Sequence, residues 1–155
     1  TLPDSTGTVA LQGGAGVGKV LQVVQGSTST EVRSSSTAYS DTGLTATITP
    51  TSASSKILVI VHQNGCGKET NNTYLRLQLL RNSTAIHLFG FPIAYTASTQ
   101  NAGGGTCSTT YFDAPATTSA ITYKTQFTSD AGSAYTCVQW GNLPTSTITL
   151  MEIGA

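Results

Sequence analysis

The sequence predicts an all-β fold, an antiparallel β-sandwich or jelly roll, carried behind an extended N-terminal arm. Three observations support this. Apolar and β-branched residues recur with a period of two in short runs, Gly, Pro, Asn, Asp and Ser separate those runs, and no stretch holds a convincing helical period. A length of 155 residues suits one domain. Residues 1–18 are assigned to an arm and linker, because their glycine-rich second half offers no side chain to anchor a core. The head domain spans 19–155.

Within the head, KVLQVVQ (19–25) is the first strand. LTATITP (44–50) puts Leu44, Ala46 and Ile48 on one face and Thr45, Thr47 and Thr49 on the other, so its sheet has one wet side. KILVIVHQ (56–63) is apolar on both faces. Ile57, Val59 and Val61 serve the core, and the opposite face, Leu58 and Ile60, is assigned to a subunit contact, since a contiguous aliphatic patch marks an interaction surface. Residues 73–89 read as a hairpin turning at Asn82-Ser83, with Leu75, Leu77 and Leu79 inward and Arg76 and Gln78 outward. Segments 109–115, 120–127, 134–140 and 146–153 complete about nine or ten strands.

Composition narrows function. Charged residues are 9% of the chain, far below the usual quarter, while 28 Thr and 17 Ser make its polarity one of hydroxyls. Seven basic and seven acidic residues cancel, which argues against nucleic acid and anionic membrane surfaces as partners. The longest apolar run, Ile57 to Val61, is much too short to span a bilayer, and the N-terminus shows no export signal, so the chain reads as soluble. Cys66, Cys107 and Cys137 lack metal-ligand spacing and are expected as buried or half-buried free thiols, with one bridge among them left open. No metal or cofactor is expected. The sequons at Asn71 and Asn82 are read as chance matches in a Thr- and Asn-rich chain.

Several motifs invite catalytic readings. Gly13 to Lys19 matches part of a phosphate-binding loop, but Val20 stands where the metal-binding hydroxyl belongs and a strand follows in place of a helix. His62 and His87 have no G-x-S-x-G nucleophile elbow to serve, and His87 alternates with core residues as a strand histidine. Asp113 and Asp130 sit in turn contexts where carboxylates bond their own backbone. No catalytic residues are assigned and the protein is not expected to be an enzyme. The aromatic, amide-rich loops are the better candidates for a binding face. Tyr95, Tyr135, Trp140 and Asn142 are assigned to it because rings stack on sugars while amides read hydroxyls, although half or more of the loop aromatics are expected in the core.

LPDSTGTVAL (2–11), GKVLQVVQ (18–25), TGLTATITPTSASSKILVIV (42–61), LRLQLLRNSTAI (75–86), TYFDAPATTSAITYKTQF (110–127) and STITLMEIGA (146–155) together resemble, in order, a domain of bacteriophage virion proteins, especially of cyanophages and marine phages. LPDSTGTVAL itself is similar to a phrase that precedes C-terminal head domains of tail fibres. The resemblance implies a homotrimeric virion surface protein with a sandwich of the jelly-roll or C1q-like kind, made in the host bacterial cytoplasm and partnered by a fibre shaft or capsid. As a tail-fibre head it would contact a host glycan or protein. The alternative is a decoration protein stabilising the capsid, and a polysaccharide depolymerase ranks third because acids are few. The segments 62–73 and 87–109 carry no resemblance, as suits variable display loops.

Overall fold

A computed structural model of the protein describes residues 18–132 and 134–155. The arm and the phosphate-loop-like segment therefore lie almost wholly outside the described residues. Ten strands form two antiparallel sheets: β1 (Val20–Thr28), β2 (Val32–Ser34), β3 (Ser40–Ile48), β4 (Lys56–Lys68), β5 (Thr73–Arg81), β6 (Thr84–Thr96), β7 (Ala102–Asp113), β8 (Ile121–Ser129), β9 (Thr136–Val138) and β10 (Ser146–Ile153). One sheet runs β1-β10-β4-β7, with the short β9 and β2 continuing it past the upper end of β10 and β1; the other runs β3-β8-β5-β6. Taking β1/β2 and β9/β10 each as one strand, chain order alternates between the sheets except at the β5–β6 hairpin, giving two interlocking Greek keys, which is a jelly roll.

The period of two is realised on the strands as expected. Leu44, Ala46 and Ile48 are buried while Thr45 and Thr47 face water, and Ile57, Val59, Val61, Leu75, Leu77 and Leu79 line the space between sheets. Asn82-Ser83 makes the β5–β6 turn, with Asn82 at φ 54 in the left-handed region that suits Asn. The core is divided by a belt of hydroxyls and amides. Thr42 Oγ1 meets Thr125 Oγ1 at 2.6 Å, Thr125 Oγ1 donates to Gln63 Oε1 at 2.8 Å, and Gln63 Nε2 donates to Ser146 Oγ at 3.1 Å. Below it lies the larger cluster around Val59, Tyr123 and Leu150; above it, the smaller one of Cys66, Leu75, Leu77, Phe127 and Val138.

Several boundaries differ from the sequence reading. Most of 87–109, read as display loops, is strand: β6 runs on to Thr96, and β7 begins at Ala102, where Gly103 and Gly105 pair across bulges with Gly67 and Cys66 and few side chains compete. The expected strand at 134–140 shortens to Thr136–Val138, since Gln139 and Gly141 take positive φ and turn the chain into a single 3₁₀ turn, Trp140–Asn142. The expectation that half or more of the loop aromatics are core is wrong. Phe89, Phe91, Tyr95, Tyr135 and Trp140 all keep solvent exposure, because aliphatic residues and the two strand aromatics Tyr123 and Phe127 already fill the interior.

The two ends of the sandwich differ. Gly18 N donates to Gly154 O and Gly154 N to Lys19 O, so the described chain starts and ends at one base. The opposite end carries the connections around Glu69–Asn72, Ala97–Asn101 and Asp130–Tyr135. Lys68 ties that end together from a buried position, its Nζ donating to the carbonyls of Thr70 (2.9 Å), Thr96 (3.2 Å) and Thr99 (3.1 Å).

Candidate functional site

Two surfaces stand out, one on the outer face of each sheet. On the β1-β10-β4-β7 sheet the registers Val23↔Met151, Met151↔Leu58 and Leu58↔Phe112 set four apolar side chains in one row across all four strands. Val23 and Phe112, at its two ends, are 55% and 58% exposed. Val20, Leu21 and Ile153 extend the patch toward the base, and Ile60 extends it upward. In the next row Ile60 stands among Gln25, Thr149 and Thr110, and the row above that is Ser27, Thr147, His62 and Ser108, where His62 Nδ1 lies 2.9 Å from Ser108 Oγ. The sheet face thus passes from aliphatic at the base to hydroxyl-rich above. Leu58 lies in its aliphatic part and Ile60 at the border, both facing outward as their place in the alternation required.

The outer face of the β3-β8-β5-β6 sheet is mostly Thr, Gln and Lys, with one aromatic island. Tyr74, Arg76 and Gln78 alternate outward along β5, and Phe91 and Tyr95 rise beside them from β6. β6 pairs with β5 alone in its sheet, and as an edge strand it accommodates Pro92. Tyr74 meets Phe91 edge-on at 5.3 Å between ring centroids and Tyr95 at 6.3 Å. The Arg76 guanidinium lies 5.4 Å from the Tyr74 centroid and 5.2 Å from that of Phe91, close enough for cation–π attraction, and Nη2 donates to Tyr74 Oη at 3.0 Å. One row away, Gln78 Nε2 donates to Gln126 Oε1 (3.0 Å) and Gln126 Nε2 to Asp41 Oδ1 (2.7 Å).

The four residues assigned to a binding face divide between two places. Tyr95 belongs to the aromatic island, its hydroxyl 3.4 Å from Asn72 Oδ1. Tyr135 is on the other sheet's side, exposed, with the Arg33 guanidinium 5.8 Å from its ring centroid and Arg33 paired to Glu69. Trp140 is half-buried and lies flat against Gly67, where any Cβ would overlap its indole. Asn142 Oδ1 accepts the Glu31 amide at 2.8 Å. Trp140 and Asn142 therefore brace the 3₁₀ turn against β4 and the β1–β2 connection. The island's other members, Tyr74, Arg76 and Phe91, were not singled out as site residues; the outward register of Arg76 between Tyr74 and Gln78 was the available signal.

The titratable groups are held in structural roles. His87 Nε2 lies 3.0 Å from Thr109 Oγ1, and its ring stacks on Tyr111 at 5.2 Å. Asp113 bonds the next amide, Ala114, as its turn context implied, and also takes Arg81 Nη1 (3.0 Å) and the Tyr123 hydroxyl (2.6 Å). Asp130 Oδ1 reaches across to Thr73 Oγ1 (2.6 Å) and Tyr74 N (3.0 Å), where the start of β5 offers free donors; its turn runs through residue 133, outside the described residues. All three cysteines are free thiols, and burial pushes Cys66 and Cys137 up to about 12. Among the described residues no three His, Cys, Asp or Glu side chains gather as a metal site, and no helix is long and apolar enough to cross a membrane.

No protein-family model matches this chain, and no curated protein does. Among solved structures, a chain of the "Structure of infectious bursal disease virus Gt strain" aligns with 86% of this chain and 38% of its own length, at 11% identity and a TM-score of 0.37. The present chain thus spans well under half of that one. A likeness at that level carries no weight for fold or function, which rest on strand order and side chains.

Proposed function

We propose that this chain is a structural protein of a bacteriophage virion, a homotrimeric head of a tail fibre whose loop end contacts the host surface. The observation that carries the reading is the apolar row Val23–Met151–Leu58–Phe112. A flat four-stranded face of this kind is costly in water and is best covered by the same face of further copies around a closed symmetry axis. Leu and Phe side chains contribute roughly 1.5–3 kcal/mol each when fully buried, so three copies of the row supply a substantial drive to associate. Zero net charge removes long-range repulsion between copies.

The polarity of the sandwich supports the same reading. Both described ends of the chain lie at the base, beside the apolar patch, and the Lys68-tied connections lie at the opposite end, an arrangement that favours a partner at the base and host contact at the other end. The resemblance of LPDSTGTVAL to the phrase preceding fibre heads favours a fibre over a capsid anchor. A non-enzymatic role accords with histidines and carboxylates engaged in cross-strand pairs. Immunogold labelling of intact particles with antibody to this chain tests the assignment. Gold at fibre tips is the expected result; gold spread over the head reassigns the chain to capsid decoration, and unlabelled virions overturn the reading.

A further inference from the structure

We propose that the island of Tyr74, Arg76, Phe91 and Tyr95 is a binding site for a carboxylated saccharide, with the guanidinium taking the carboxylate and the Phe91 and Tyr95 rings taking the apolar face of the sugar. The assignment deepens the reading of the chain as a host-contacting virion protein and rests on it.

Arg76 differs from the other two arginines. Arg33 pairs with Glu31 and Glu69, and Arg81 with Asp113, whereas Arg76 has no carboxylate within ion-pair distance among the described residues. Asp130, whose charge is felt at Arg76, is already engaged by Thr73 and Tyr74. The guanidinium is fixed by two rings and one hydrogen bond to Tyr74, and its Nε is buried without a partner, so the donors left for a ligand are those of the two terminal amino groups that Tyr74 does not take. A planar, positioned guanidinium with free donors matches the two oxygens of a carboxylate.

Beside this cation stand two rings that touch Tyr74 by their edges yet leave more than half of their surface in water. Phe91 is 59% and Tyr95 52% exposed. Removing the rings from water around a ligand recovers the cost of displaying them, and a pyranose offers an apolar face of matching size. The Gln78–Gln126 amides one row away suit its hydroxyls. A polyanion such as nucleic acid is disfavoured. Lys124, the cation on the neighbouring strand, is paired with Asp41, so the island presents one free positive charge and no basic stripe.

The test measures binding of the full assembled chain to immobilised polygalacturonate and hyaluronate oligosaccharides, their carboxyl-reduced counterparts, and dextran sulfate. Binding to one of the carboxylated sugars is expected, at least tenfold weaker after carboxyl reduction, a comparison that needs no variant. Arg76→Gln should weaken it tenfold or more, Arg76→Lys less, and Phe91→Ala and Tyr95→Ala severalfold, with Thr47→Ala, on an exposed position of β3 away from the island, unchanged and melting temperatures confirming that each variant folds. The proposal is overturned if neither carboxylated sugar binds, if Arg76→Gln binds as well as the parent, or if dextran sulfate is preferred. Adsorption competition separates the two levels: added chain that blocks phage adsorption while binding no carboxylated sugar removes the site and leaves host contact standing. Failure of both removes both.

Discussion

Glu152 is a carboxylate without solvent access, on the inner side of β10 beside the β3–β4 connection. Burial alone would raise its pKa, but Gln22 Nε2 (2.7 Å), Thr51 N (2.8 Å) and Thr51 Oγ1 (2.7 Å) all donate to it and outweigh burial, holding it at about 2. Because this lies below the ordinary value of 4.5, the stabilisation is fully present above pH 4.5 and is lost as pH falls toward 2. Urea midpoints should be flat near neutrality and drop across that interval. Glu152→Gln should flatten the drop and cost about 1.5–3 kcal/mol at pH 7, since it weakens charge-assisted hydrogen bonds. A variant retaining the full acid-induced drop would show that another group is responsible. Nothing in the local sequence marked Glu152, or the buried Lys68, because their partners arrive from about thirty or more residues away or from backbone carbonyls, which carry no residue-type signal.

At the scale of the element, β4 shows what was legible. Its lower half alternates two apolar faces, and that pattern alone separated Ile57, Val59 and Val61 from Leu58 and Ile60. Its upper half, Asn64–Lys68, has no such pattern, because bulges against β7 shift its register and its neighbour changes from β10 to β9. Gly67 is where that change allows Trp140 to approach the backbone. Gly67→Ala should push the indole off β4, shift its emission to the red and cost about 1–3 kcal/mol by overpacking. Unchanged emission and melting temperature would mean that the ring does not rest there. The divided fate of the assigned binding residues has the same origin: an aromatic outside the period-two runs reads alike whether it braces a turn, as Trp140 does, or stands exposed on a strand, as Tyr95 does on β6. Only the strand register that set Arg76 beside Phe91 distinguished them.

For the whole molecule, the class and most strands followed from periodicity and punctuation, while the jelly-roll strand order depends on pairings between distant segments such as Val20–Thr28 with Ser146–Ile153. The belt of Thr42, Thr125, Gln63 and Ser146 belongs to this level too, since its members meet only once the sheets are stacked, and a satisfied polar layer favours one register over its slips. The proposed trimer belongs to this scale too, since only the assembled sheet creates the apolar row. Its most direct test is light scattering of the purified chain at micromolar concentration, beside Leu58→Asp, which places a carboxylate in the middle of the row. The parent is expected at three times the 16.0 kDa chain mass and a folded Leu58→Asp variant at the single-chain mass. A monomeric parent, or a variant that remains a trimer, would contradict it.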